Sequence, residues 1–320
     1  MVSPRRHHFF FLELFEFLSR SEIPVKVVPS CAPCILQRIL GTAQKITDDP
    51  WLHDKVLNQV MAEWIESEGG VTPAERVSRL HDLVCRNLGV TDPWQKVRDG
   101  WVEEVQSLLD PVREKVAAAP DPLLAALAIS ARANVFDDDL LTKKKIREDL
   151  RKMGLHPSRA PASPDELSVS DVDRFREELR TAKNLLFIHD SAPELPFDRV
   201  LFEQIVRERP EIEMTSVVRP QPVLLDATRA DLVTFGFDTL PAVKAVVDPG
   251  STGLGITLEA AQREFRELFD GSDLVIAKGQ AHVETLARAE RGVYFLFRIK
   301  CAVMAREEGG RVGEIVFARK

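Results

Sequence analysis

A chain of 320 residues with 44% hydrophobic content can bury a sizeable core, and its length fits about two domains. A net charge of −7, with acids and bases mixed along the chain and no basic stripe, argues against nucleic acid as a partner. Four cysteines in so long a chain exclude a secreted disulfide scaffold and point to the cytoplasm.

Arg5 and Arg6 precede an apolar stretch, Phe9 to Leu18, in the manner of a signal peptide. Glu13 and Glu16 interrupt it, no small-residue cleavage site follows, and it is too short to span a bilayer. Residues 1–27 are therefore read as an N-terminal extension or amphipathic helix, with no membrane partner. From Cys31 to about Met153 the pattern is helical. Thr72-Pro73-Ala74-Glu75 forms a capping box, Val77, Leu80, Val84 and Leu88 follow at helical spacing, and Gly89 ends the run. Asp92-Pro93 opens a helix with Trp94, Val97, Trp101, Val105 and Leu108 on one face. A short apolar helix is predicted over 123–133 and a charged one over 142–153, with Lys143-Lys144-Lys145 as its solvated start. Gly154 to Ser168, with its prolines and serines, reads as a linker, so 28–168 is predicted as a helical domain and 169–320 as the next one.

After a capped helix over 170–181, the pattern changes at Asn184. Short apolar runs at 185–188, 215–218, 223–225, 243–247, 274–277 and 294–297 alternate with helical stretches such as 197–208 and 257–269. Such alternation predicts an α/β fold with a parallel sheet covered on both faces. Ligands bind such sheets beyond the carboxyl ends of the strands. Reading onward from each run gives Asp190, Asp226, the glycine-rich stretch 248–255 and Lys278-Gly279. Carboxylates at two strand ends suit a hard divalent cation, lysine supplies charge for phosphate oxygens, and a glycine-rich turn can aim N–H groups at an anion. Taken singly, each aspartate is as well read as a helix cap and each glycine as a turn residue. It is their joint placement that points to a metal- and phosphate-handling site.

These residues carry a family resemblance. Asp190-Ser191-Ala192-Pro193-Glu194 with Phe197-Asp198 resembles the "DNxGE…FD" signature of the metal-dependent damage-control phosphatases. Leu225-Asp226-Ala227-Thr228…Asp231 resembles their "NDAT…D", Gly250 to Glu259 their glycine-rich loop, and Asp273 to Glu284 their "DLVIAKGQGNxE". Ala133-Asn134-Val135-Phe136-Asp137 is similar to "GNxID". Cys31-Ala32-Pro33-Cys34 and Lys300-Cys301 resemble the "CxPC" and "KC" of one branch. The resemblance covers about residues 28–318. It implies a helical N-terminal domain joined to a three-layer α/β/α domain with a mostly parallel sheet. It also implies hydrolysis of a small phosphorylated metabolite with a divalent metal (Mn, Mg, Co or Ni). By position, Asp190, Ser191 and Asp226 would hold the metal. Lys278 and Lys300 would hold the phosphate with Asn134 nearby, Glu194, Gly279 and His282 would also meet the substrate, and Asp190, Asp226 and Lys278 would be catalytic. The chain departs from the pattern at Ser191, Leu225 and His282, where the family has asparagine, and at Pro193, where it has glycine. If His189 or His282 compensates, the preference moves toward softer metals.

Alternatives stand beside this reading. The chain could be a catalytically weakened protein that binds phosphometabolites, or, like a related branch, an S-adenosylmethionine-dependent carboxyl methyltransferase. Cys31 and Cys34 could be structural thiols, a redox pair or metal ligands. Cys85, Cys301, Trp94 and Trp101 read as core. His189, next to Asp190 on a strand, should point to the opposite face.

Overall fold

The structure, a computed structural model, describes residues 25–67, 69–136 and 167–320, together with 144 and 148. The apolar stretch at 9–18 and nearly all of the segments expected as a charged helix and a linker (142–166) lie outside the described residues. No helix among the described residues is long and apolar enough to cross a membrane.

Among the described residues six helices come first: α1 (Ala32–Ile46), α2 (Pro50–Glu66), α3 (Pro73–Leu88), α4 (Gln95–Gln106), α5 (Leu109–Ala117) and α6 (Pro122–Arg132). Their starts follow from local chemistry. Asp49 and Asp121 cap α2 and α6, accepting the amides of Trp51 and Leu124, and proline follows each. Thr72 and Glu75 close the expected capping box, and Gly89 ends α3 in the left-handed region at φ 67°. α3 buries Val77, Leu80 and Val84, and Trp94 and Trp101 are core residues as expected. α4 begins at Gln95 rather than at Asp92-Pro93, with Trp94 as its N-cap. Every residue of α6 from Ala125 to Ala131 is buried. The helix packs along α8 (Leu195–Glu208) and against strands β6 (Tyr294–Arg298) and β7 (Ile315–Arg319), so it has no solvent face.

The seven-stranded sheet adds β1 (Leu167–Ser170), β2 (Asn184–Ile188), β3 (Glu213–Val217), β4 (Val243–Val247) and β5 (Leu274–Lys278), in the order β1-β7-β6-β5-β2-β3-β4. All neighbours are parallel except β6 and β7. The fold is α/β, as the alternating runs require. Four expectations are corrected. Residues 223–225 are not a strand but part of a loop that returns to β2 through a single bridge, Ser191 to Asp226. The helix expected over 170–181 spans only Val172–Leu179 (α7), because Ser170 ends β1. The helix expected over 257–269 begins at Arg263 (α10, Arg263–Gly271), after a single 3₁₀ turn. Strands β1 and β7 are absent from the sequence reading.

From β2 the chain moves outward to β3 and β4, and from β5 outward the other way to β6. The junction of β2 and β5 is thus the topological switch point, where adjacent strand ends splay and leave a crevice. Register places Ile188 opposite Ala277, so Asp190 and Gly279 leave the sheet side by side.

Candidate active site

Asp190 leaves β2 and Gly279 leaves β5 at the switch point. Gly279 adopts φ 93°, a conformation that favours glycine, and a methyl group there would overlap the Asp190 carboxylate. The absent side chain lets the aspartate lie directly on the β5 end. Asn134, just beyond α6, donates from Nδ2 to Asp190 Oδ2 at 2.7 Å and to Glu194 Oε1 at 3.0 Å.

Asp226 arrives by a different route. Its loop is pinned by Ala192 N–H donating to Leu225 O (2.8 Å) and Ala227 N–H to Asp190 O (2.7 Å). Arg98 of α4, paired with Asp92, donates to Leu224 O at 3.3 Å. Leu224 sits at φ 47°, where a branched side chain costs on the order of 1–3 kcal/mol. Arg219, just past β3, donates Nε to Asp226 Oδ2 at 2.7 Å and Nη1 to Gly255 O at 2.7 Å. Its third contact, Nη2 to His282 Nε2 at 3.1 Å, fixes the histidine tautomer, because His282 Nδ1 meets the carbonyl of Lys278 at 2.5 Å. Asp231, the closing aspartate of the "DAT…D" motif, is structural, completing a capping box with Thr228 on α9 (Arg229–Thr234).

Asp190 and Asp226 line one small cavity, together with Arg38, Trp94, Leu225 and Ala281 among others. Several expected site residues lie off its walls. Lys278 is fully buried, its ammonium paired with Glu194 at 2.8 Å and with Asp198. Burial alone would lower its pKa, but Asp198 and then Glu194 outweigh it and hold the pKa above the usual lysine value. Lys278 therefore supports Glu194, which Asn134 ties to Asp190. Ser191 donates its hydroxyl to Glu194 Oε1 at 2.5 Å. Of the three expected metal residues, Asp190 and Asp226 line the cavity, and Ser191 lies behind them against Glu194. His282 is fully buried and both its ring nitrogens have protein partners, while its neighbour Ala281 lines the cavity. Burial first, then the Arg219 charge, push its pKa down to about 3. His189 points away as expected, packing among Phe187, Phe202 and Phe237 and meeting Asp198 at 3.2 Å. Lys300 lines an adjoining cavity. At the end of the glycine-rich stretch two amides have internal partners, Leu254 N–H on Ser78 at 2.7 Å and Ile256 N–H on Thr285 at 3.0 Å. The sequence reading missed two residues that shape the site, Arg38 and Arg219. The only sequence signal for either was Arg219's place just past a strand run.

Among the described residues no group of three or more His, Cys, Asp and Glu is arranged to hold a metal. The donor set nonetheless fits one kind of ion. Hard cations such as Mg²⁺ take one or two carboxylates and complete their shell with water and phosphate oxygens. Asp190, Glu194, Asp198 and Asp226 are buried carboxylates, set against Lys278, Arg219 and the cavity-wall Arg38.

A family model described as the damage-control phosphatase ARMT1-like domain matches residues 27–316. A protein of Archaeoglobus fulgidus named damage-control phosphatase is 29% identical, over 91% of this chain and 98% of its own length. A damage-control phosphatase of Pyrococcus horikoshii is 27% identical, over 92% of this chain and 98% of its own. The crystal structure of a DUF89 family protein from P. horikoshii superposes with a TM-score of 0.78, at 27% identity, covering 92% of this chain and 99% of that one. With nearly its whole length matched and its characteristic motifs meeting at one switch point, the chain belongs to the damage-control phosphatase ARMT1-like family.

Proposed function

We propose that this protein is a cytoplasmic, metal-dependent phosphatase that hydrolyses a small phosphorylated metabolite. The carrying observation is that Asp190 and Asp226, from two separate chain segments, face one cavity with Arg38 on its wall. The two aspartates would hold a divalent cation of the hard class, Mg²⁺ or Mn²⁺. Bound there, such an ion would polarise the phosphate and offset charge developing on its oxygens. The protein's own groups do the rest. Asn134 and Gly279 fix Asp190, and Arg219 fixes Asp226. Arg38 supplies positive charge at the cavity. Lys278 acts behind them, pairing with Glu194, which Asn134 and Ser191 also hold.

The family to which the chain belongs supports hydrolysis over methyl transfer. Phosphate release from a panel of esters, with chelator and then with Mg²⁺ or Mn²⁺ restored, tests the reading. Chelated protein is expected to lose at least about 10²-fold of its activity and to regain it with either ion. Full activity in chelator would overturn metal dependence. Failure to release phosphate from any ester with any divalent ion would instead support the binding-protein alternative.

A further inference from the structure

Three of the four cysteines come together beside the active site, although they lie near opposite ends of the sequence. Cys31, Cys34 and Cys301 line one cavity of about 230 Å³. It lies between the start of α1, the start of α3, α11 (Gln280–Leu286) and the turn before α12 (Ala302–Glu307). None of the three is in a disulfide. This cavity adjoins the carboxylate one, since Arg38, Leu254 and Ala281 line both.

Cys31 is the residue before α1 and already has helical backbone angles, φ −77° and ψ −26°. Cys34 is the third residue of the helix. Their α-carbons are therefore one turn apart, about 5 Å, inside the span of roughly 4.4–6.8 Å that a disulfide bridges. Cys34 is exposed and Cys31 buried, so Cys34 is the thiol that a dissolved oxidant meets first. Burial foremost, with the Cys301 charge adding to it, holds the Cys31 thiol above its usual pKa and suits it to the second step. Cys301 is engaged elsewhere, its sulfur accepting the Met304 amide at 3.4 Å and Gln280 Nε2 at 3.8 Å. Cys31, Cys34, Ile35 and Arg38 all face the cavity, at the spacing of one helix face, and Arg38 carries that face on to the carboxylate cavity. A bridge would draw the two β-carbons from the helical separation of about 5–6 Å to about 4 Å, tightening the first turn of α1. That strain falls two turns from the active-site wall, on the same helix.

We propose that Cys31 and Cys34 are a site of reversible oxidation, and that closing their disulfide reshapes the wall shared with the active site and lowers activity. The oxidant is a low-molecular-mass disulfide. The Cys34 thiolate attacks one of its sulfurs, forming a mixed disulfide and releasing one thiolate. Cys31 then gives up its proton to solvent, attacks the Cys34 sulfur and expels the second thiolate. Two protein thiols are oxidised and one external disulfide is reduced to two thiols, so electrons and protons balance. The loss of activity rests on the phosphatase reading; the dithiol does not. The test compares reduced protein with protein equilibrated with glutathione disulfide, by peptide mapping after alkylation and by phosphate release. Oxidised wild type is expected to carry a Cys31–Cys34 disulfide, with Cys85 and Cys301 alkylated. Its kcat/KM should be at least about threefold lower, and dithiothreitol should restore it. Cys34→Ser should form no such disulfide and keep its activity in the oxidant, while Cys301→Ser should respond as wild type does. Alkylation of both Cys31 and Cys34 in oxidised protein, a bridge to Cys301 instead, or a Cys31–Cys34 disulfide with unchanged kinetics overturns the proposal. If reduced protein hydrolyses no ester the phosphatase reading fails, and mapping still decides the dithiol, absence of the Cys31–Cys34 disulfide overturning it.

Discussion

The closest coupling between sequence and chemistry lies at Gly279, whose positive φ and missing Cβ let Asp190 rest on the end of β5. Gly279→Ala should therefore displace the carboxylate and lower kcat/KM by about 10²-fold, since shifts of an ångström in a positioned group cost that much. Steady-state kinetics on well-folded variant would check this, and a change within twofold would show that Asp190 need not be held there. His282 makes a different prediction. Its pKa falls from the usual 6.5 to about 3, by burial and then by the Arg219 charge, so the unfolded chain binds a proton there that the folded chain does not. Stability from this group is intact above pH 6.5 and is lost as pH falls through the window to 3, by up to about 1.4 kcal/mol per pH unit. Urea unfolding of His282→Asn across that window should show a shallower acid slope than wild type. At this scale strand-end logic placed Asp190 and Lys278 at the neighbouring ends of β2 and β5, whereas it reached Asp226 through a strand at 223–225 that the fold does not contain. It did not disclose that Lys278 faces inward, because whether a lysine meets ligand or carboxylates depends on Glu194 and Asp198 folding back from α8. For the same reason Cys301, expected as core, proved half-exposed on a cavity wall, where its Sγ accepts the Met304 amide at 3.4 Å.

Among the elements, the loop carrying Asp226 departs most from expectation. Val223-Leu224-Leu225 reads as a strand because it is apolar and ends in aspartate, yet its three residues are buried by packing between segments, with no strand neighbours. Its unusual backbone at Leu224 is held from outside, by Arg98 on the Leu224 carbonyl and by the amides around Ser191 and Ala227. Arg98→Gln should loosen that hold, weakening the apparent affinity for the activating cation by about tenfold with little change in the sheet. A cation titration of activity, with circular dichroism as the folding control, reads both. Strands β1 and β7 escaped the sequence because β1 is four residues of mixed polarity and β7 runs antiparallel to β6 without a helix between, outside the strand-helix alternation.

Across the whole molecule, the helical and α/β halves expected from the change of pattern at Asn184 are knitted together at the site. Asn134 follows α6, Arg38 comes from α1, Arg98 from α4, and the other site residues come from the sheet half. α6 belongs physically with α8, β6 and β7 although it lies before the expected division at 168. The fold class was legible because hydrophobic period is a local property. The cavity was only half legible, because its cations come from helices whose amphipathic pattern says what is buried but not which polar end faces a ligand. The central claim is that Asp190 and Asp226 together hold the cation that phosphate hydrolysis requires. Its most direct test is to titrate Mg²⁺ or Mn²⁺ against phosphate release in wild type, Asp190→Asn and Asp226→Asn. Both variants are expected to remain folded, to need at least tenfold more cation and to lose about 10²-fold or more in kcat; a folded Asp226→Asn with wild-type cation response and turnover would contradict the account.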